Sequence, residues 1–462
     1  MPGMNLARAL RLPRLPRLAA VGAGGKTSLL FQAGREMLEA KDAPGSLLLT
    51  TTTHLASWQA ALADQQVIVD SVAQLMHWAR HIPSGLLVIS GPEVADQRLS
   101  GLNEALLAKL LELAVEHELP LLIEADGARL KPLKAPAGHE PAIPSFARQV
   151  VVCAGLSSLG KPLSDEWVHR PERFGELAGL ELGQAVTRHS LQRVLAHPQG
   201  GLKHIPVGAR RTLLLTQADS PALQAEAHAM AEILLPHFDS VLTSRSLLGD
   251  APAALAQIEV LDVHEPTAGV VLAAGGASRF GRAKQLLDWH GKPFVRQVAE
   301  TALQAGLSPV LVVVGAYADE VSSAVADLPV QLVMNSTWEQ GHSTSVVRGV
   351  QALPENTGAA VFLLSDQPQA PFRLVRSLVE MHQQTLAPIV APLVDGQRGN
   401  PVLFDRDTFA ELSSLRFDQG GRQLFSHFAV KWLPWHDPSV LLDVDTEEDY
   451  RRLLEHSQTG AT

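Results

Sequence analysis

Short apolar runs, most of them ending in glycine, hydroxyl or acidic residues and followed by a longer stretch of helical periodicity, recur along nearly the whole chain. In the first half the runs are "LAAVG", "SLLLTTT", "GLLVISG", "PLLIEADG", "QVVVCAG" and "TLLLTQAD". In the second half they are "AGVVLAAGG", "PVLVVVG", "VQLVMN", "AAVFLLSDQP", "PIVAPLV" and "PVLF". Continuous rather than alternating apolar runs belong to strands buried on both faces, and helical crossovers between them make the strands parallel. The expected class is therefore α/β with mainly parallel sheets. A chain of 462 residues exceeds what one hydrophobic core serves, so two or three domains are expected. The weakly patterned segment from Ser244 to Gly269 marks the boundary: a first domain over 1–245, a linker over 246–266 and a second domain over 267–462.

Charge and cysteine usage narrow the function. A formal net charge of −10 opposes a nucleic-acid surface, which needs a concentrated basic face. The single cysteine, Cys153, cannot form an intrachain disulfide and reads as a small buried hydrophobe. The basic N-terminus is broken by prolines and lacks the ~7–15-residue apolar region of a signal peptide. No uninterrupted apolar stretch reaches the ~20 residues that span a bilayer. The expectation is a cytoplasmic protein whose partners are small molecules or proteins, with no nucleic acid and no membrane.

"VVLAAGGASRFGRAKQLL", from Val270 to Leu287, runs from a buried strand into small residues. Such a turn lets backbone N–H groups approach a phosphate, and Arg279 and Lys284 place two positive charges within reach. "FLLSDQPQ" puts Asp366 at a strand end, where open α/β sheets keep their ligand sites. "LLDVDTEEDY" adds Asp443 and Asp445. Two carboxylates facing a triphosphate suit Mg²⁺, with phosphate oxygens and waters completing its shell. Helix capping competes for part of this segment, so Asp443 is assigned to the metal with Asp366, and Asp445 to the N-cap of the last helix.

The motifs "LAAGGASRFGRAK", "NSTWEQGHSTSVVRG", "SDQP", "RGNPVLF", "DQGGR" and "LLDVDTEED" occur in this order between Ala268 and Leu454. Together they resemble the nucleotidyltransferases that attach a nucleotide to molybdopterin, most closely the molybdenum cofactor cytidylyltransferases. The sequence departs from that pattern at His342, Asn400 and Phe417. The resemblance implies a Rossmann-like fold and transfer of CMP from CTP to the molybdopterin cofactor, with pyrophosphate released. On it, Ala273, Ala274, Gly275, Gly276, Gly341, Ser343 and Ser345 bind the nucleotide. Arg279, Lys284, Asp366 and Asp443 are the catalytic set, and Asn400, Asp418 and Arg422 face the acceptor. Ala274 stands where guanylyl-transferring relatives have glycine, and the added methyl argues for a pyrimidine.

A second loop of different design lies at "AVGAGGKTSLL". Gly22, Gly24, Gly25, Lys26 and Thr27 between a strand and a helix suit a triphosphate and its Mg²⁺, although Ala20 replaces the first glycine of a complete Walker A pattern. Glu124 and Asp126 in "PLLIEADGAR" stand where a Walker B acid would. His139, Glu140, His169 and Arg170 are candidates for lining a substrate pocket, and Asp219 is either a base reader or a turn residue. With "TTTTHL", "EADGARLKPLKAP", "HEPAIP" and "GLSSLGKPL…VHRPERF", this half resembles the YqeC family, accessory proteins of selenium-dependent hydroxylases. That resemblance implies a P-loop-like domain binding ATP or GTP, with an apo molybdenum hydroxylase as a protein partner. Two other readings stay open: a GTP-using or sugar-phosphate nucleotidyltransferase, and a non-catalytic cofactor chaperone.

Overall fold

A computed structural model describes residues 4–247, 255–276, 280, 282–417 and 419–459. The chain forms two compact units, Met1–His264 and Glu265–Thr462. Among the described residues no helix is long and apolar enough to cross a membrane.

The first unit is built on a nine-stranded sheet. Its strands are β1 (Arg17–Gly22), β2 (Ser46–Thr51), β3 (Gln65–Ile68), β4 (Gly85–Ser90), β5 (Leu121–Glu124), β6 (Gln149–Gly155), β7 (Arg210–Thr216), β8 (Ser240–Leu247) and β9 (Gln257–His264). Their order is β9-β8-β7-β6-β1-β5-β2-β4-β3. All neighbours are parallel except β8 and β9. Every residue of β2, β5 and β6 is buried, as the uninterrupted apolar runs require. Segment 246–266, expected as a linker, instead supplies β9. Its pattern "IEVLDV" alternates, which suits an edge strand, and Ile258, Val260 and Val263 are buried there.

The chain leaves β1 toward β2 on one side and later crosses to β6 on the other, so the C-terminal end of β1 is the switch point where α/β sheets open a crevice. A three-residue turn there leads into α1 (Lys26–Leu38). Gly24 has φ +83°, and a Cβ on it would meet Gly155 N and Pro132 O at 2.8 Å, so only glycine permits this close crossing. Later in the chain come α2 (Arg188–Leu195) and α3 (Pro221–Leu234), the second of which packs on β8.

The second unit has an eight-stranded sheet with β10 (Thr267–Ala273), β11 (Val310–Val314), β12 (Gln331–Met334), β13 (Ala359–Leu364), β14 (Ile389–Val394), β15 (Gln397–Arg398), β16 (Val402–Asp405) and β17 (Val430–Pro434). The path is β12-β11-β10-β13-β16-β14-β15, with β17 paired to β14. The β12, β11, β10 and β13 strands are parallel, while β16 runs antiparallel to both β13 and β14. Successive side chains of β10 enter opposite cores: Val271 and Ala273 join Val312 and Leu363, whereas Val270, Leu272 and Ala274 join Val313 and Phe362. Here too the switch point falls at the first strand, between β11 and β13. Helices α4 (Phe294–Gln304), α5 (His342–Gln351), α6 (Phe372–Thr385) and α7 (Glu447–Thr459) complete this unit.

Candidate functional site

In the second unit the loop after β10 carries Ala274, Gly275 and Gly276. Gln285 donates from Nε2 to the carbonyl oxygens of Ala273 (3.0 Å) and Gly275 (2.7 Å), which fixes the loop's conformation. A Cβ on Gly275 would find its nearest atom 4.0 Å away, so space for a close-lying ligand remains there. A Cβ on Gly276 would instead meet the Trp338 ring at 2.7 Å, and glycine is required for the ring to seat. Ala274 is 2 % exposed, and its methyl lies where a Cβ on Gly315 would be 2.8 Å from it. The methyl therefore packs inward, and any influence on base choice passes through the position of the Gly315 loop.

Asp366 follows β13, and Asp443 and Asp445 come from the segment before α7. The three are brought together by Val444, which is fully buried with Leu287, Trp289, Phe294 and Leu453. With its middle residue anchored in that cluster, "DVD" holds its two carboxylates at the site. Lys284 Nζ donates to Asp445 Oδ1 at 2.5 Å and lies 4.0 Å from Asp366 Oδ2. Asp443 accepts a short hydrogen bond from Gln367 Nε2. Burial pushes the Asp366 carboxyl up to about 6, with Lys284 opposing and Asp443 reinforcing the shift. Burial also raises Asp443, and Asp445 adds to it. Burial first, and then the neighbouring negative charges, make Asp366 and Asp443 hold a proton more tightly than ordinary carboxyls. That is the electrostatic condition a divalent cation relieves, and an all-oxygen donor set suits a hard ion such as Mg²⁺ or Mn²⁺.

Asp445, assigned to the helix cap, is not the cap. Thr446 Oγ1 accepts from Asp449 N at 3.2 Å, while Asp449 Oδ2 accepts from Thr446 N at 2.9 Å, a reciprocal capping box, and the Asp445 carboxylate pairs with Lys284 instead. Arg279 and Asp418 lie outside the described residues. Gly341, with φ +116°, leads into α5. Ser343 and Ser345 on that helix are buried, and the Ser345 hydroxyl accepts from Asn335 Nδ2 at 3.0 Å, so it braces the turn after β12. Ser343 N donates to Phe417 O at 3.1 Å, which ties the "DQGGR" loop to the start of α5.

Of the residues expected to face the acceptor, Asn400 is half-buried and Arg422 is exposed. Sequence reasoning missed Arg398, two residues before Asn400. Its guanidinium stacks 4.8 Å from the Phe425 ring centroid, and burial first, then Arg422, lower its pKa while Asp443 opposes. The signal for Gln285, Gln367 and Arg398 was their place inside the motifs, since composition around them is unremarkable for a loop.

In the first unit the acids are already paired. Thr27 Oγ1 donates to Glu124 Oε2 at 2.8 Å, and Lys26 Nζ donates to Gly22 O at 2.9 Å and lies 3.9 Å from Glu124 Oε1. Asp126 accepts from Gly22 N at 3.0 Å and from Lys134, an ammonium that also donates to Gly127 O (2.6 Å) and Glu140 (2.9 Å). Arg170 grips Glu140 with two hydrogen bonds of 2.6 and 2.8 Å. Burial alone would raise the Glu140 carboxyl, but the Arg170 and Lys134 bonds outweigh it and hold it at about 2. Burial raises Glu124 and Asp126 against the pull of Lys26 and Lys134. Sequence reading did not single out Lys134, the hub of this network. His169 is pushed down to about 4 by burial and then by Arg170 and Lys134. His139 is largely exposed, and Asp219 accepts from Ser246 N at 2.8 Å, which ties the loop after β7 to β8. Buried Cys153 is raised to about 12 by burial, an inert thiol.

Comparison with known proteins follows the same division. The sequence profile of the YqeC protein matches residues 18–172, and that of the MobA-like NTP transferase domain matches residues 269–432. YqeC of Escherichia coli strain K12 is 34% identical over 224 residues, spanning 47% of this chain and 81% of that protein. Nicotine blue oxidoreductase of Paenarthrobacter nicotinovorans is 31% identical over 200 residues, 40% of this chain and 95% of that one. A probable molybdenum cofactor guanylyltransferase of Bacillus cytotoxicus is 25% identical over 198 residues, 40% of this chain and 96% of that protein. With a YqeC half and a half carrying the strand-end carboxylates and glycine loop just described, the chain belongs to both families: it is a fusion of a YqeC domain with a MobA-like nucleotidyltransferase.

Proposed function

We propose that the second unit transfers CMP from CTP to the terminal phosphate of a molybdopterin cofactor, releasing pyrophosphate. The observation that carries this reading is the convergence of Asp366, Asp443 and Asp445 on Lys284 beside the loop after β10. A phosphate oxygen of the acceptor attacks the α-phosphorus in line, and the bond to the pyrophosphate oxygen breaks; no protein nucleophile is needed. Asp366 and Asp443 would hold Mg²⁺, which supplies charge neutralisation at the phosphates. Lys284, released from Asp445 when phosphate oxygens compete for it, steadies the leaving pyrophosphate together with Arg279. Arg398 and Arg422, close enough for their charges to interact, suit the phosphate of an anionic acceptor.

The first unit, on this reading, binds ATP or GTP at the Gly24–Thr27 turn and assists maturation of a molybdenum hydroxylase. Helix α1 has no side-chain cap, so its first N–H groups face the turn, where an anion is favoured. Binding a phosphate there requires Lys26 to exchange Gly22 O for the ligand.

One observation favours a second reading: the relative matched over 95% of its length is named for an oxidoreductase. A single assay separates the two. The protein is incubated with molybdopterin, Mg²⁺ and each NTP in turn, and pyrophosphate is measured; in parallel, NADH absorbance is followed with nicotine blue. CTP-dependent pyrophosphate release with constant NADH supports nucleotidyl transfer. NADH oxidation without pyrophosphate release from any NTP overturns it.

A further inference from the structure

A second set of metal-ligand side chains lies in the first unit, away from both glycine loops. His228 on α3 and Asp262 and His264 on β9 offer three ligand atoms that all lie within 4.8 Å of one another. Asp262 and His264 are two residues apart on one strand, and the hydrogen-bond contact between His264 Nε2 and Asp262 Oδ1, at 2.7 Å, shows them on the same face. The His228 ring meets the His264 ring edge to face at a centroid distance of 5.0 Å. The register shift between Thr243 and Ser244 leaves Leu261 as an extra residue in β9 and sets the phase of Asp262 and His264 beyond it. Among the described residues this is the only group of three such side chains.

We propose that His228, Asp262 and His264 form a site for a borderline divalent cation, zinc above all, which ties α3 to the antiparallel edge strand β9. Two imidazole nitrogens and one carboxylate oxygen are a zinc set, with water in the fourth position. They are a poor set for Mg²⁺, which takes oxygen ligands in an octahedral shell. Metal–ligand bonds of about 2.0–2.2 Å in a tetrahedron place donor atoms roughly 3.3 Å apart. The 2.7 Å His264–Asp262 pair therefore opens slightly, its hydrogen bond exchanged for two bonds to the metal. The larger adjustment falls on His228, which is exposed and turns at little cost. His264 is 3 % exposed and Asp262 half-buried, so two of the three ligands are already held in place.

The gain is greatest at this edge. Among the described residues strand β9 pairs antiparallel with β8 and otherwise bridges only at Val260, to Met4, so a metal bridge to α3 adds an anchor at its C-terminal end.

The test uses the full-length protein stripped with chelator and dialysed against ZnCl₂ in excess MgCl₂, which keeps the oxygen site of the second unit saturated with Mg²⁺. Bound zinc is measured by atomic emission, and Co²⁺ is used as an optical probe of coordination. The expected result is about one zinc per chain and the intense visible absorption of four-coordinate Co²⁺. His228→Ala, an exposed change that spares the core, should weaken zinc binding by roughly tenfold or more and abolish that absorption. Asp262→Asn, close to isosteric, should do the same while near-UV circular dichroism stays unchanged. Asp443→Asn should leave zinc stoichiometry intact. Equal zinc in the wild type and in both His228→Ala and Asp262→Asn, or no zinc in the wild type above the magnesium background, overturns the proposal.

Discussion

The two units meet a similar demand in opposite electrostatic ways. Each ends its first strand in a glycine-bearing turn at a switch point, and each brings carboxylates from elsewhere in the chain beside a lysine. In the first unit Lys26, Lys134 and Arg170 face Glu124, Asp126 and Glu140, so the acids are matched by the protein's own cations. In the second, Asp366 and Asp445 both lie against Lys284 while Asp443 is bonded by the neutral Gln367 amide, and burial and repulsion raise Asp366 and Asp443. A site whose charges already cancel is a folding element first, and a ligand must break an internal pair to enter. An acid-rich site costs stability by itself and is completed by a cation that arrives with its substrate.

The comparison breaks first, and with the largest expected effect, at Lys134. Lys134→Ala leaves Asp126 and Glu140 short of a partner in a buried place and should destabilise the first unit by about 3–5 kcal/mol, read by chemical denaturation. A loss under about 1 kcal/mol, the worth of a surface pair, would mean that the network does not hold the fold.

Asp366→Ala tests the other side. Nucleotidyl transfer should fall by roughly 10²–10³-fold, in line with removal of a group that organises transition-state charge, while the melting temperature holds or rises. Near-normal turnover at saturating Mg²⁺ would remove Asp366 from the site.

Lys26→Ala should weaken ATP or GTP binding by the first unit by roughly tenfold or more, since a charged hydrogen bond contributes about 1.5–3 kcal/mol. Equilibrium dialysis with labelled nucleotide reads this directly, and unchanged affinity would take Lys26 out of the phosphate site.

Opposite charge logic predicts opposite pH behaviour when divalent ions are absent. Asp366, raised to about 6, contributes stability below the ordinary carboxylate range that is lost as pH rises through 6. Glu140, held at about 2, contributes stability above that range that is lost as pH falls toward 2. At pH 7.5, then, Asp366→Asn should raise the melting temperature and Glu140→Gln should lower it, each by a few degrees. Near pH 3 the Asp366→Asn difference should vanish. Shifts of the same sign at pH 7.5 would contradict the contrast.

The smallest effect is expected at Ala274. Because its methyl packs inward, Ala274→Gly should change the CTP-to-GTP ratio of kcat/KM by no more than about 1 kcal/mol, the lower end of what one methyl discriminates. A larger swing toward GTP would show that the methyl reads the base directly.

Most of the strands were legible because a strand buried on both faces needs an uninterrupted apolar run, as in "QVVVCAG" and "AAVFLLS". Strand β9 was read as part of a linker because an edge strand needs only one apolar face and therefore carries half the signal. The cap at α7 shows a different limit. Asp445, Thr446 and Asp449 all have side chains that can cap, and nothing local decides among them; Lys284, 161 residues earlier, draws Asp445 away and leaves the capping box to Thr446 and Asp449.

The α/β class and the two units could be read from the sequence, and the motif order pointed to Asp366, Asp443 and Lys284 as one set, since strand periodicity and motif order are local properties. Tertiary structure decided which charges meet. Lys134 joins Asp126 and Glu140, Arg398 comes to lie over the Phe425 ring, and His228 reaches Asp262 and His264 across 34 and 36 residues, because strand order and helix docking set those distances and no short stretch of sequence records them.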